Sequence, residues 1–291
     1  MRRALHHLAA PLADAGRCVI TAALALLLWS PQRAAADLSA GLVAHYPLDG
    51  NGSDGSGNGR NGTLMSDVAP AADRFGNATG AMGFDGAGDY IVAAADGLPT
   101  GERTTAFWFF ANTVANHPFP FGYGGGQCGT SWFVAINALA VPGQDYPNAM
   151  LLSSHCDVNN LLYHYSSPPE GSWYHWAVMT DASGSRMYLN GVLVASNNNF
   201  IASTSVNGTH LSLGIIPGGD GVAPFGDGYL DGRLDDVRIY DRALSPTEIR
   251  ELALFPPSVP GASDWRLAAL VSGLLAVGLL WARRARLRDA A

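Results

Sequence analysis

The chain has 291 residues, 48% of them hydrophobic, enough for one large β domain or two ordinary ones, and 35 Gly with 17 Pro point to many turns. Only 14% of residues are charged, and none of the 17 basic residues is Lys. Between Asp37 and Ser258, 8 Arg stand against 17 Asp and 4 Glu, a balance of −13 that argues against nucleic acid as a partner.

Residues 1–36 read as a secretory signal peptide. Arg2, Arg3 and Arg17 precede the apolar run Val19 to Trp29, and Ala34-Ala35-Ala36 is a small-residue cleavage site, so cleavage is expected between Ala36 and Asp37. The run is too short to span a bilayer alone, where about 20 residues are needed. Residues 37–254 follow as one β domain. It opens on LVAHYPLD from Leu42, with Val43, His45 and Pro47 alternating against Leu42, Ala44, Tyr46 and Leu48. DGNGSDGSGNGRNGT, residues 49–63, is turn chemistry throughout. Strand-length segments then recur at 81–92, 104–111, 131–137, 148–155 and 161–165, each bordered by Gly, Pro, Asn or Asp.

The least ambiguous pattern is WYHWAVMTDASGSRMYLNGVLVAS, residues 173–196. Trp173 to Thr180 is an apolar strand, Asp181 to Ser185 a turn, and Arg186 to Leu189 a second strand. Asn190-Gly191 suits a type I′ turn, where both residues need positive φ, so Val192 to Ala195 should fold back antiparallel. This hairpin pair is expected at the centre of the fold, with Trp173 and Trp176 as core anchors. Two further strands follow at 210–216 and 229–241. About a dozen short strands at this spacing, with no helical pattern between them, predict an all-β, antiparallel two-sheet sandwich. One short C-terminal helix is marked by ALSPTEIREL, with Ser245 as N-cap, Pro246 at N1 and Glu248 completing a capping box.

Residues 255–264 form a proline-rich linker. An apolar stretch across 265–282 is expected as a transmembrane helix, and the arginines of 283–291 should stay cytoplasmic, which places the β domain outside. Cys128 and Cys156 are an even pair in a domain read as exported, which suggests one disulfide, two free thiols being the alternative.

Four blocks, PLDGNGSDGSGNGRNGT, GFDGAGDYI, YHWAVMTDASGSRMYLNGVLVAS and GRLDDVRIYDRALSPTEIREL, resemble in order the signature blocks of laminin G-like domains of the concanavalin A-like jelly-roll group. The resemblance covers about Gly41 to Ala253; residues 113–169 do not align with it. It implies a jelly roll and, often, a structural calcium. The tail is similar to the sorting signals read by exosortase-type enzymes, matching at Val259, Pro260, Ser263, Asp264 and Trp265 but not at Gly261 and Ala262. That resemblance implies a bacterial envelope protein held in the membrane and then cleaved or released; a plain anchor is the alternative.

Acidic residues cluster in two places, and Asp49, Asn51, Asp235 and Asp236 are the candidate ligands for calcium, which takes six to eight oxygens. Asp235 shares alternation with Val237 and Ile239, and so is expected to point inward, where an unpaired carboxylate is costly. The competing reading has these residues capping turns through side-chain hydrogen bonds. No catalytic residue is assigned. The four Glu (Glu102, Glu170, Glu248, Glu251) form no alternating acidic strand motif, and no nucleophile elbow, metal-spaced His pair or phosphate loop occurs. His45, His155, His164, His175 and His210 read as structural. Trp108, Phe119, Phe121, Tyr123, Trp132, Tyr163 and Tyr165 are read as core before ligand platform, with Phe119, Phe121 and Tyr123 alternating as one core-facing side. The sequence thus reads as a non-catalytic surface module for a glycan or an envelope or matrix partner, with function expected in the Asp-rich loops and in 113–169. A polysaccharide hydrolase or lyase, and a structural biofilm-matrix component without a ligand, are the rivals.

Overall fold

The structure, a computed structural model, describes residues 37–254 except 116, 126–128, 138–148, 155–160, 167, 208 and 217–227. The signal peptide, Cys128, Cys156, the linker with its sorting motif and the apolar tail lie outside the described residues. Among those described, no helix is long and apolar enough to cross a membrane.

Among the described residues, fifteen strands and one helix succeed each other: β1 (Leu42–Tyr46), β2 (Thr63–Met65), β3 (Ala69–Ala71), β4 (Ala81–Asp85), β5 (Tyr90–Ala94), β6 (Arg103–Ala111), β7 (Phe121–Gly124), β8 (Ser131–Ile136), β9 (Met150–Ser153), β10 (Leu161–His164), β11 (Trp173–Asp181), β12 (Gly184–Leu189), β13 (Val192–Asn197), β14 (His210–Leu213), β15 (Asp231–Tyr240) and α1 (Pro246–Leu254). All pairings are antiparallel. The front sheet runs β13-β12-β11-β6-β15-β4-β3, with β1 added on β15, and the back sheet runs β10-β9-β8-β7-β14-β5-β2. The expected two-sheet sandwich is therefore present. The 173–196 hairpin pair, however, runs from the interior of the front sheet out to its edge; β6 and β15 hold the middle.

The core fills the space between the sheets. Phe107, Phe109, Trp176, Val178, Leu234, Val237 and Ile239 come from the front; Phe121, Tyr123, Trp132, Val134, Leu152 and Leu213 come from the back. Trp176 lies 5.7 Å from both Phe107 and Phe109, and Phe107 stacks on Phe121 at 6.2 Å, so one aromatic column joins the two sheets. Trp173 is not part of this core. Pairing opposite Phe110, it lies on the outer face of the front sheet, because odd positions of β11 alternate away from Trp176. Phe121 and Tyr123 face the core as expected, whereas Phe119 precedes the strand and packs at the edge of Phe133 on the back sheet.

Arg103 is completely buried at one end of the core. Its Nη1 donates to Pro99 O (2.9 Å) and Thr204 Oγ1 (2.6 Å), its Nη2 donates to Ala202 O (2.6 Å), and it lies 4.4 Å above Trp132. Carbonyls, a hydroxyl and a ring face thereby stand in for water around the charge.

Helix α1 closes part of the front sheet's outer face. Ile249 and Leu252, with Leu244, pack on Ala106, Ala177, Met179, Tyr188 and Tyr240. Its capping box forms as the sequence indicates: Ser245 N donates to Glu248 Oε2 (2.7 Å) and Glu248 N to Ser245 Oγ (3.3 Å). The Asn190-Gly191 turn also forms, with φ of 49° and 77°. A Cβ on Gly191 would lie 3.0 Å from the Arg250 backbone, so the turn and helix can approach only because this residue is Gly.

A buried charge network and an aromatic pocket on the front sheet

Beyond α1, the outer face of the front sheet carries a group of interacting charged and aromatic side chains. A β-bulge makes it. Asp235 pairs with Trp108 and Arg238 with Ala106, so two residues of β15, Asp236 and Val237, oppose the single Phe107. Asp236 takes a left-handed φ of 53° to achieve this. The bulge shifts the phase of β15: Leu234 before it and Val237 and Ile239 after it all enter the core. Asp235 therefore does not share the face of Val237 and Ile239, as simple alternation predicts; it points outward, beside Trp108.

The outward face is nevertheless covered. Arg74, from the turn between β3 and β4, lies over it with a side chain 6% exposed, and its Nη1 pairs with Asp235 Oδ2. The guanidinium is sandwiched 4.6 Å from the Phe75 ring and 4.7 Å from Trp108. Asp236 accepts from Arg238 Nε (2.9 Å) and contacts His45 Nε2 (2.8 Å) through the same Oδ1. Asp73 holds the Arg74 turn by accepting from the amides of Phe75 and Asn77, both at 2.8 Å. His175 meets Trp108 edge-on at 5.4 Å.

Burial sets the electrostatics. It pushes Asp235 up to about 7, outweighing the Arg74 charge, while Asp236 repels it further upward. Asp236 feels the same burial, yet its contacts with His45 and Arg238 hold it far below the usual carboxylate range. His175 is pushed down to about 3, burial again being the first cause. Asp49 is raised by burial and then by Asp236 and Asp73.

Of the four candidate calcium ligands, Asp235 and Asp236 adjoin on the bulge and Asp49 is near enough for Asp236 to act on its charge. Asn51 stays in the exposed loop, its Oδ1 accepting from Ser53 N at 2.8 Å. Arg74 pairs with Asp235, and Arg238 and His45 contact Asp236, so both buried carboxylates have partners among the protein's own side chains. Among the described residues, no group of three or more His, Cys, Asp or Glu is placed to hold a metal. In the glycine-rich loop, burial raises Asp54 but is outweighed by donors from His45 N, Ser56 N, Ser56 Oγ and Arg60 N at 2.9–3.0 Å, which hold it below its ordinary value. This is the turn-capping role.

Next to the network lies a pocket of about 240 Å³ lined by Arg74, Phe75, Trp108, Trp173, Ala253 and Leu254. Phe75 is 55% exposed at its edge. Arg233, 4.7 Å from the Phe110 ring, extends the same face past Trp173. Trp108 was a candidate ligand aromatic. Trp173 was expected in the core, and Arg74 and Phe75 were not singled out, although an Arg-Phe pair in a turn of a domain holding only 8 Arg is a signal that could have found them. Tyr163 of β10 and Tyr165 just after it, 40% and 63% exposed, form a separate T-shaped pair at 4.8 Å.

Nothing among curated proteins matches the chain. Several solved structures do. Domain 4 of AbnA, a GH43 extracellular arabinanase from Geobacillus stearothermophilus solved in complex with arabinotriose, is 23% identical with a TM-score of 0.57, over 74% of this chain and 98% of that one. The ligand binding domain of botulinum neurotoxin serotype D, solved in complex with N-acetylneuraminic acid, is 14% identical with a TM-score of 0.53, over 74% of this chain and 51% of that one. The botulinum neurotoxin type G receptor binding domain is 17% identical with a TM-score of 0.52, over 74% and 51%. The chain thus spans about half the length of the toxin domains, and at these identities the likeness is one of fold. A family model described as the concanavalin A-like lectin/glucanases superfamily matches residues 85–250, more than half of the chain. By this match, which takes in β5 to β15 and the start of α1 as far as Arg250, the chain belongs to that superfamily.

Proposed function

We propose that the domain is a non-catalytic glycan-binding module that docks a sugar against the aromatic pocket of the front sheet. The observation that carries this is the pocket itself: Trp108 and Trp173 offer apolar ring surface, the half-exposed Phe75 closes one side, and Arg74 supplies hydrogen-bond donors within about 240 Å³. Sugars are bound by such combinations of stacking surface and a few oriented polar groups. Structures of the same fold solved with arabinotriose and with N-acetylneuraminic acid support the reading. Titration of the protein with a glycan panel, followed by tryptophan fluorescence, tests it. Trp173→Ala should abolish binding while leaving the far-ultraviolet spectrum unchanged, and binding at wild-type strength in that variant overturns the assignment.

A hydrolase is the second reading, favoured by one observation: Asp235 is pushed up to about 7 beside Asp236 held low, the split expected of an acid and a base. Both carboxylates lie under Arg74, at 4% and 5% exposure, away from a bound sugar. Release of reducing ends from any polysaccharide, lost in Asp235→Asn, would establish catalysis instead.

The module is proposed to act outside the cytoplasm, exported by residues 1–36 and held by the apolar tail until a sorting enzyme of the exosortase type acts at the Val259-Pro260 region. Truncation before Trp265 should send the domain into the medium; retention in the membrane fraction would refute this.

A further inference from the structure

Arg74 presents an unusual feature within the pocket. Its side chain is 6% exposed and its Nη1 is committed to Asp235, yet Nη2 is buried with no hydrogen-bond partner; Asp236 Oδ2 lies 3.9 Å from it. Trp108, another residue of the lining, likewise has its Nε1 buried and unpartnered. Buried donors left unmade are costly and rare, and two borne by side chains that line one pocket point to a group that supplies acceptors. The side chains of the described lining supply none: besides Arg74 they belong to Phe75, Trp108, Trp173, Ala253 and Leu254.

Resting on the glycan-binding reading, we propose that the pocket selects a sugar bearing a carboxylate, a uronic or sialic acid residue, whose oxygens accept from Arg74 Nη2 and Trp108 Nε1. Charge favours a carboxylate over a hydroxyl here. Arg74 is the single charged group of the lining, and a guanidinium binds a carboxylate through two parallel hydrogen bonds about twice as strong as neutral ones. Its partner Asp235 is pushed up by burial and so gives it an incomplete counter-charge near neutral pH. Asp236 is occupied by His45 and Arg238, and Asp73 by the amides of its own turn. Phe75, 55% exposed on the far side of the guanidinium, is the residue that must swing aside to admit the ligand.

The test compares uronic acid oligomers and a sialylated trisaccharide, each beside its carboxyl-reduced form, by calorimetric titration of the full chain. At least one acidic form should bind about tenfold or more tighter than its reduced counterpart. Arg74→Gln, which keeps a donor but loses the charge, should remove that preference while Trp173→Ala weakens acidic and neutral forms alike. Equal affinity for acidic and reduced sugars, both sensitive to Trp173→Ala, overturns the carboxylate proposal and leaves the glycan reading standing. Absence of binding by every probe overturns both. Should Arg74→Gln fail to fold, the comparison of acidic and reduced sugars on the unaltered protein still decides.

Discussion

Replacing Asp235 with Asn, and separately His175 with Gln, should expose two opposing pH dependences that cancel in the native protein. Burial raises Asp235 from 3.8 to about 7, so the folded state keeps a proton that the unfolded chain releases. The stability contributed by this group is complete below the unfolded value and is lost as pH rises through the folded one. Burial lowers His175 from 6.5 to about 3, so the unfolded chain takes up a proton that the folded state refuses. That contribution is complete above the unfolded value and is lost as pH falls. The two windows overlap between about pH 4 and 6.5 with opposite slopes. At ~1.4 kcal/mol for each pH unit of displacement, the ceilings are roughly 4 kcal/mol for Asp235 and 5 kcal/mol for His175. Urea unfolding followed by tryptophan fluorescence across this range measures the balance. The unaltered protein should change little, Asp235→Asn should gain stability as pH rises, and His175→Gln should lose it. Parallel profiles for all three proteins would show that burial does not govern either group, and the reasoning would fail.

Other expectations concern single contacts. Ser245→Ala removes the acceptor for Glu248 N at the start of α1 and should cost about 1 kcal/mol, read as a lower urea midpoint with an unchanged slope. Gly52→Ala would place a Cβ 2.6 Å from the Gly62 carbonyl, a backbone atom with little room to yield, and should destabilise by ~1–3 kcal/mol. Chelation with EDTA should leave the melting temperature unchanged, since Asp235 already has Arg74 as a partner and Asp236 has Arg238 and His45; a fall of several degrees that calcium restores would place a cation in this region.

What the sequence made legible was local. The capping box of α1, the Asn190-Gly191 turn and the two-residue alternation of β1 each depend on neighbours a few positions apart, and each is found. The site was less legible because its contacts are distant: Arg74 and Asp235 are 161 positions apart, and His45 and Asp236 are 191. The run LDDVRIY reads as unbroken alternation, since nothing in its composition announces that Asp236 adopts φ of 53°. Asp tolerates that conformation but does not demand it. Trp173 was misplaced for a related reason: a continuous apolar run does not reveal which of its faces meets a second sheet.

The bulge at Asp236 also uncouples two design problems that a regular strand would tie together. In an uninterrupted β15, every change on one face must respect a fixed parity of apolar residues on the other. One surplus residue absorbs that constraint, so Leu234, Val237 and Ile239 satisfy the interior while Asp235 and Asp236 present consecutive carboxylates to the far side. Residues of the outer face can therefore be exchanged in sequence space without renegotiating the interior. Removing Asp236 would have the converse effect, turning half of β15 inside out, so its presence is a condition of the scaffold and the identity of its neighbours is free to vary with the ligand.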